Sequence, residues 1–211
     1  MESIRSVYSA EIRVCSYDRA NMGKSGDAPT PRAADDITAD LHGLLEAAEV
    51  PGPYVLVGHS AGGMFVQAYA RRYSDDVAGV VAMNPVPPWE PWSKEGFQEM
   101  TPQERQEETD YFRGANNESL DYRASSEQLA TLPPPKKIPF HLLISTVAQC
   151  DSPDDICART YPAYESIMRD VSKEWPEGRF TQTQAGHEIY LSDLAAVRAA
   201  LDDVLQRAGF Q

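Results

Sequence analysis

Basic residues are scarce in this chain: 19 Lys and Arg stand against 32 Asp and Glu, a formal charge of −13 over 211 residues. A surface this acidic offers no basic patch for releasing phosphate counterions, which argues against nucleic acid and anionic membrane as partners. Long apolar runs are also missing, since none reaches the roughly 18 residues a membrane span requires. Met1 to Ala10 lack the basic start and apolar centre of a secretory leader, so a cytoplasmic location is the default expectation, with secretion left open. Cysteine is rare as well: Cys15, Cys150 and Cys157 are the whole complement, and no CxxC or HxxxH spacing suggests zinc. Cys15 lies in an apolar, strand-like run and is expected as a buried thiol. Cys150 and Cys157 close a short loop and either bridge, as in an oxidising compartment, or stay reduced. No internal repeat is present.

What the chain does hold is an ordinary globular composition, 42% hydrophobic and 24% charged, enough for one domain with a core. Strand-like and helix-like patterns alternate, which points to an α/β fold with a mostly parallel sheet, flanking helices and a helical insertion. Glu11 to Tyr17 reads as a strand and Asp18 to Arg32 as a Gly-, Asp- and Pro-rich loop. Ile37, Leu41, Leu44, Leu45 and Ala48 recur at helical spacing, with Thr30 and Pro31 as the expected cap and first turn. Tyr54 to Val57 is a continuous apolar run, as expected of a central strand buried on both faces. Ala61 to Arg72 reads as helix and Val77 to Met83 as strand.

From Pro85 to Pro135 the character changes. Pro87, Pro88, Trp89, Pro91 and Trp92 make a rigid aromatic stretch, and helices are expected near Thr101, through a capping box with Glu104, and near Ser125. Strand character returns at Ile138 to Thr146 and at Arg179 to Thr183. A last helix carries Leu194, Val197, Leu201, Val204 and Leu205 on one face and stops at Gly209. The chain therefore divides into a first core part (1–87), a helical cap or lid (88–136) and a second core part (137–211).

Gly58-His59-Ser60-Ala61-Gly62 sits directly between a buried strand and a helix. A serine on so tight a strand-to-helix turn takes strained backbone angles, and glycine two residues to either side removes the clash. The following helix aims backbone N–H groups at the site, and the Ala61 amide is the expected oxyanion donor. Gly63 allows close packing of that helix. Five residues of this pattern recur by chance, but the strand before and the helix after make Ser60 a candidate nucleophile.

With Arg13-Val14-Cys15-Ser16-Tyr17-Asp18-Arg19 and Gly23-Lys24-Ser25 ahead of it, and Ala185-Gly186-His187-Glu188 far behind, the chain resembles the α/β-hydrolase fold family. The resemblance spans nearly the whole chain and is loosest over 88–136, where the family carries its variable cap. It implies an eight-stranded, mostly parallel sheet and serine-dependent ester or amide hydrolysis without a cofactor or metal.

A serine hydroxyl needs a base within hydrogen-bond reach. Of the four histidines, His42 lies in a predicted helix, His59 should point away from the nucleophile, and His141 sits inside a strand as a packed or capped side chain. His187 follows a strand on an Ala-Gly loop, matching the family order of serine, acid, histidine, and is the expected base. The family's acid orients the imidazole, and its usual position falls at Ala148. Asp151 is the nearest carboxylate and the favoured one, with Asp154 and Asp155 behind it; the competing reading of all three is a solvated acidic turn. Other relatives place the acid one strand earlier, where this chain has Asn84, with Glu90 further on.

The family's first strands and His-Gly oxyanion loop have no counterpart before Glu11, and Met1 to Ala10 resembles the helix that follows that loop. The resemblance thus implies an N-terminally incomplete sheet and a truncated reading of a longer enzyme, missing an oxyanion donor worth on the order of 100- to 1000-fold in turnover. Trp89, Trp92, Phe97, Tyr111, Phe112 and Tyr122 are divided between lining an apolar pocket and forming the cap's own core. The expected partner is a small uncharged ester. The alternatives are acyl transfer, and a non-catalytic hydrolase-like module.

Overall fold

A computed structural model describes Tyr8 and residues 12–146, 150–152 and 154–210. The expected helix at Met1 to Ala10 lies almost wholly outside the described residues, as do Glu11 and Ala148. Helix α1 (Ala34–Ala47) leads to strand β1 (Tyr54–His59), helix α2 (Ala61–Arg72) and strand β2 (Val77–Met83). Between β2 and strand β3 (Pro139–Ser145) stand α3 (Trp89–Glu95), a 3₁₀ turn (Gly96–Glu99), α4 (Pro102–Phe112) and α5 (Tyr122–Thr131). The chain continues through α6 (Ile156–Glu174), β4 (Glu177–Thr183), the single turn α7 (Ile189–Ser192) and α8 (Leu194–Arg207).

The four strands pair in the order β1-β2-β3-β4, and every pair is parallel. Alternation of side chains along them splits the core in two. Val80, Ala82, Phe140, Leu142 and Ile144 face α1, α2 and α6. Val81, Met83 and Leu143 face Val197, Ala200, Leu201 and Val204 of α8 on the opposite side, where Tyr8 also packs. β2 and β3 are covered on both faces and buried nearly throughout, which accounts for their unbroken apolar runs.

Several expectations need correction. The described part of the sheet has four strands, not eight. The segment after Ile12 forms no strand, because among the described residues no neighbour offers a ladder on the outer side of β1; Ile12 and Val14 still pack against the core, while Cys15 is exposed. β1 is consequently an edge strand and is only half-buried over Tyr54 to Val57. The cap of α1 is Ala33, whose amide donates to the Asp36 carboxylate at 2.9 Å, and not Thr30. Leu44 points outward. The aromatic stretch at Trp89 is helical, and α5 starts at Tyr122 under an Asp121 cap, leaving Ser125 and Ser126 buried inside it. The long helix α6 was not anticipated; Pro162 within it broke the periodic signal.

Other expectations hold. Thr101 and Glu104 form the capping box, with amide-to-side-chain bonds of 2.7 and 3.3 Å. Of the two states left open for Cys150 and Cys157, the structure has the disulfide, with Cys157 in the first turn of α6. His141 is packed and satisfied, its ring lying between the Asp203 carboxylate at 3.1 Å and the Thr181 hydroxyl at 2.9 Å. Among the described residues no helix is long and apolar enough to cross a membrane.

Phe140 anchors the larger core half: it is fully buried and stacks on Trp175 with ring centroids 4.4 Å apart and planes 6° from parallel. Phe140→Ala is expected to cost about 3–5 kcal/mol, measured as the shift in urea unfolding midpoint at unchanged slope.

Candidate active site

Ser60 occupies the one residue between β1 and α2, with φ 53° and ψ −121°. Left-handed φ is uncommon for a side chain with a Cβ and costs of order 1–3 kcal/mol. Main-chain bonds hold it: the Ser60 amide donates to the Met83 carbonyl at 2.9 Å, and its carbonyl accepts from the Gly63 amide at 2.9 Å. Gly58 makes the turn sterically possible, because a Cβ there would lie 2.2 Å from the Gly62 carbonyl oxygen. At Gly63 a Cβ would come within 2.9 Å of Pro85, so the expected close packing is present. Gly62 differs from the symmetrical expectation: a Cβ at that position meets nothing within 4 Å. The crowding is one-sided, because α2 turns away from its own second residue while running back over Gly58.

Ala61 is the first residue of α2, so its amide has no acceptor within the helix and sits at the positive end of the helix dipole. His187 lies on the loop between β4 and α7, exposed at the edge of a cavity of about 350 Å³ that Ser60 also lines. Partial burial of the ring draws its pKa below the ordinary 6.5, against a smaller opposing pull from Glu188.

That loop is braced at several points. The Asn84 amide donates to the His187 carbonyl at 2.8 Å and to the Ser145 hydroxyl at 2.8 Å, while its oxygen accepts from the Ser145 amide at 2.8 Å. The Ser145 hydroxyl in turn donates to the Gly186 carbonyl at 2.6 Å. His59 does not simply point away: its Nε2–H donates to the His187 carbonyl at 2.9 Å, and the two rings lie 4.7 Å apart. Thr183 bonds Asp193, the N-cap of α8, and so ties the two ends of the loop together. In the sequence, the buried Asn84 marks only a place where an acid is absent. Its fuller signal was an Asn-Pro pair at a strand end, where Asn accepts positive φ, here 40°.

The candidate acids are distributed differently. Asp151 is exposed on the turn beside the disulfide and does not line the cavity. Asp154 is likewise exposed, its amide donating to the Ser152 hydroxyl at 3.3 Å. Asp155 caps α6, accepting from the Ala158 amide at 2.7 Å and the Ser152 amide at 3.0 Å, and these bonds hold its pKa down. Glu90 pairs with Lys94 on the surface of α3. Among the described residues no carboxylate hydrogen-bonds the His187 ring. Ser60, followed by Ala61, and His187 thus share one cavity, and none of the four carboxylates is bonded to the His187 ring.

The alpha/beta hydrolase fold profile matches residues 2–193. The chain belongs to the α/β-hydrolase fold family. Within that family it is 39% identical to the uncharacterised protein YqjL of Bacillus subtilis over 75 residues, 36% of this chain and 30% of that one. The matched stretches span less than a third of the curated relatives' own length. A thermophilic esterase from Thermogutta terrifontis superposes on 98% of the chain and 84% of its own, with a TM-score of 0.65 at 21% identity. A monoacylglycerol lipase from Paleococcus ferrophilus superposes on 98% of the chain and 87% of its own, with a TM-score of 0.59 at 18% identity. These neighbours share the chain's fold.

The asymmetry of this α/β-hydrolase turn is directly testable. Gly58→Ala should lose about 3 kcal/mol or more through overpacking, whereas Gly62→Ala should fold with stability unchanged or raised by up to about 1 kcal/mol. Thermal unfolding of the two variants side by side measures the difference.

Proposed function

We propose that the chain is a serine hydrolase of small carboxylic esters, working through an acyl-enzyme on Ser60. The observation that carries this reading is a serine in left-handed backbone at a strand-to-helix turn, sharing one cavity with His187. In the proposed reaction His187 takes the Ser60 proton as the hydroxyl attacks the ester carbonyl. The Ala61 amide stabilises the oxyanion, and the protonated His187 returns its proton to the leaving alcohol. Water then enters, again through His187, and releases the acid. Asp151 is retained as the proposed orienting acid, drawn in from its exposed turn. The cavity size suits a small or medium acyl chain, and the helices α3 to α5 serve as the cap. No cofactor or metal enters this scheme.

A second reading, a hydrolase-like module without turnover, draws support from the His187 ring having no carboxylate partner among the described residues. Labelling with a fluorophosphonate distinguishes the two, since such reagents phosphonylate a serine, with loss of fluoride, only where base and oxyanion site are assembled. Modification confined to Ser60 and lost in Ser60→Ala is the expected outcome; an unmodified protein would leave only the second reading.

The pH profile supplies an independent check. General-base action needs neutral His187, and the burial that lowers its pKa from 6.5 favours that form. The acid limb of kcat/KM should therefore have its midpoint below pH 6.5. A limb centred above 6.5 would contradict His187 as the base.

A further inference from the structure

The cavity beside Ser60 carries one acidic group that ester hydrolysis does not use. Glu108, on α4, lines the cavity with Trp92, Tyr111, Phe112 and Tyr164. One of its carboxylate oxygens accepts from the Trp92 indole N–H at 2.8 Å. Among the described residues no Lys, Arg or His pairs with it, whereas Glu90, Glu104 and Glu127 on the same group of helices have such partners. The second oxygen is therefore left without a protein donor in a half-buried, aromatic setting. Burial pushes the Glu108 pKa up, and the Trp92 bond opposes that only in part.

A carboxylate held by one neutral donor at the wall of an aromatic cavity is an electrostatic deficit that a ligand cation can fill. The geometry points to Glu108 as the recognition residue for an ammonium-bearing substrate. The cation would sit against the free carboxylate oxygen, with the faces of the surrounding rings adding cation–π attraction. Among the described residues lining the cavity there is no Lys or Arg, and the chain's overall negative charge attracts cations towards the site. Placing this cation on a substrate rests on the hydrolase reading above; the cation subsite itself does not. The inference narrows the expected ester from uncharged to one carrying an amine.

The test compares butylammonium with 1-butanol, similar in size and chain, for binding to the full chain by calorimetry. Trp92 fluorescence serves as a second readout. Butylammonium should bind at least tenfold more tightly to the wild type. The same preference should survive in Glu107→Gln, which removes one charge from an exposed neighbouring position. In Glu108→Gln, which keeps an acceptor for the indole, the ratio should fall to near one, and Glu108→Asp should retain part of it. Equal binding of the two probes by the wild type would overturn the proposal without recourse to any variant. So would a preference that persists in Glu108→Gln. Cation binding in a protein whose Ser60 resists fluorophosphonate would leave the subsite standing and remove the hydrolase reading alone.

Discussion

The structure depends on a single close approach, that of the α2 backbone to Gly58. Because the helix begins one residue after the strand ends, the Gly62 carbonyl lies where any side chain at 58 would be. That contact forces Ser60 into left-handed backbone and raises its side chain above the sheet end. It also aims the start of α2 at the same spot, so the Ser60 hydroxyl and the Ala61 amide, the proposed nucleophile and oxyanion donor, are positioned by one geometric device. The strain is carried by the surrounding main chain: Met83 at the end of β2 and Gly63 on α2 both bond Ser60. The elbow is thus anchored to the buried centre of the sheet, not to its exposed edge strand alone.

His187 is positioned by a different means. His187 sits on a loop whose backbone is held by Asn84 and Ser145 at the ends of β2 and β3, and by His59 from the elbow itself. Parallel pairing brings the carboxyl ends of these strands together, which is where open α/β sheets gather their sites. The bonds act on main-chain carbonyls, so they locate the loop while leaving the ring free at the cavity edge. Ring orientation, in contrast, has no comparable anchor among the described residues, which is the structural basis for retaining a non-catalytic reading.

The six aromatics of the inserted helices divide evenly. Trp92, Tyr111 and Phe112 reach the cavity wall, while Trp89, Phe97 and Tyr122 do not line it. Trp89 packs on Phe97 and Phe112, and Phe112 packs on Tyr122. These helices supply both a small core of their own and one side of the site. Glu108 belongs to the second role, since its indole partner ties α4 to α3 at the cavity.

Local signals made much of this legible in the sequence. The limits of α2 and β2, the Thr101–Glu104 capping box and the stop at Gly209 follow from periodicity, capping and turn chemistry, whose causes lie within a few residues. The strand-to-helix turn at Ser60 and the loop at His187 were legible because a Gly-flanked turn and an Ala-Gly loop have short signatures. What tertiary structure alone decided concerns neighbours distant along the chain. The segment at Arg13 has strand-like residues but no ladder partner, so it forms no strand, and β1 becomes an edge. Cys150 and Cys157 had two open states until the approach to α6 set their Cα atoms 5.5 Å apart, within bridging distance. Asn84, Ser145 and Glu108 carry no motif, and their roles arise from which backbone and which cavity they meet in space. Sequence determines a residue's chemistry and local geometry; only packing decides which distant group that chemistry faces.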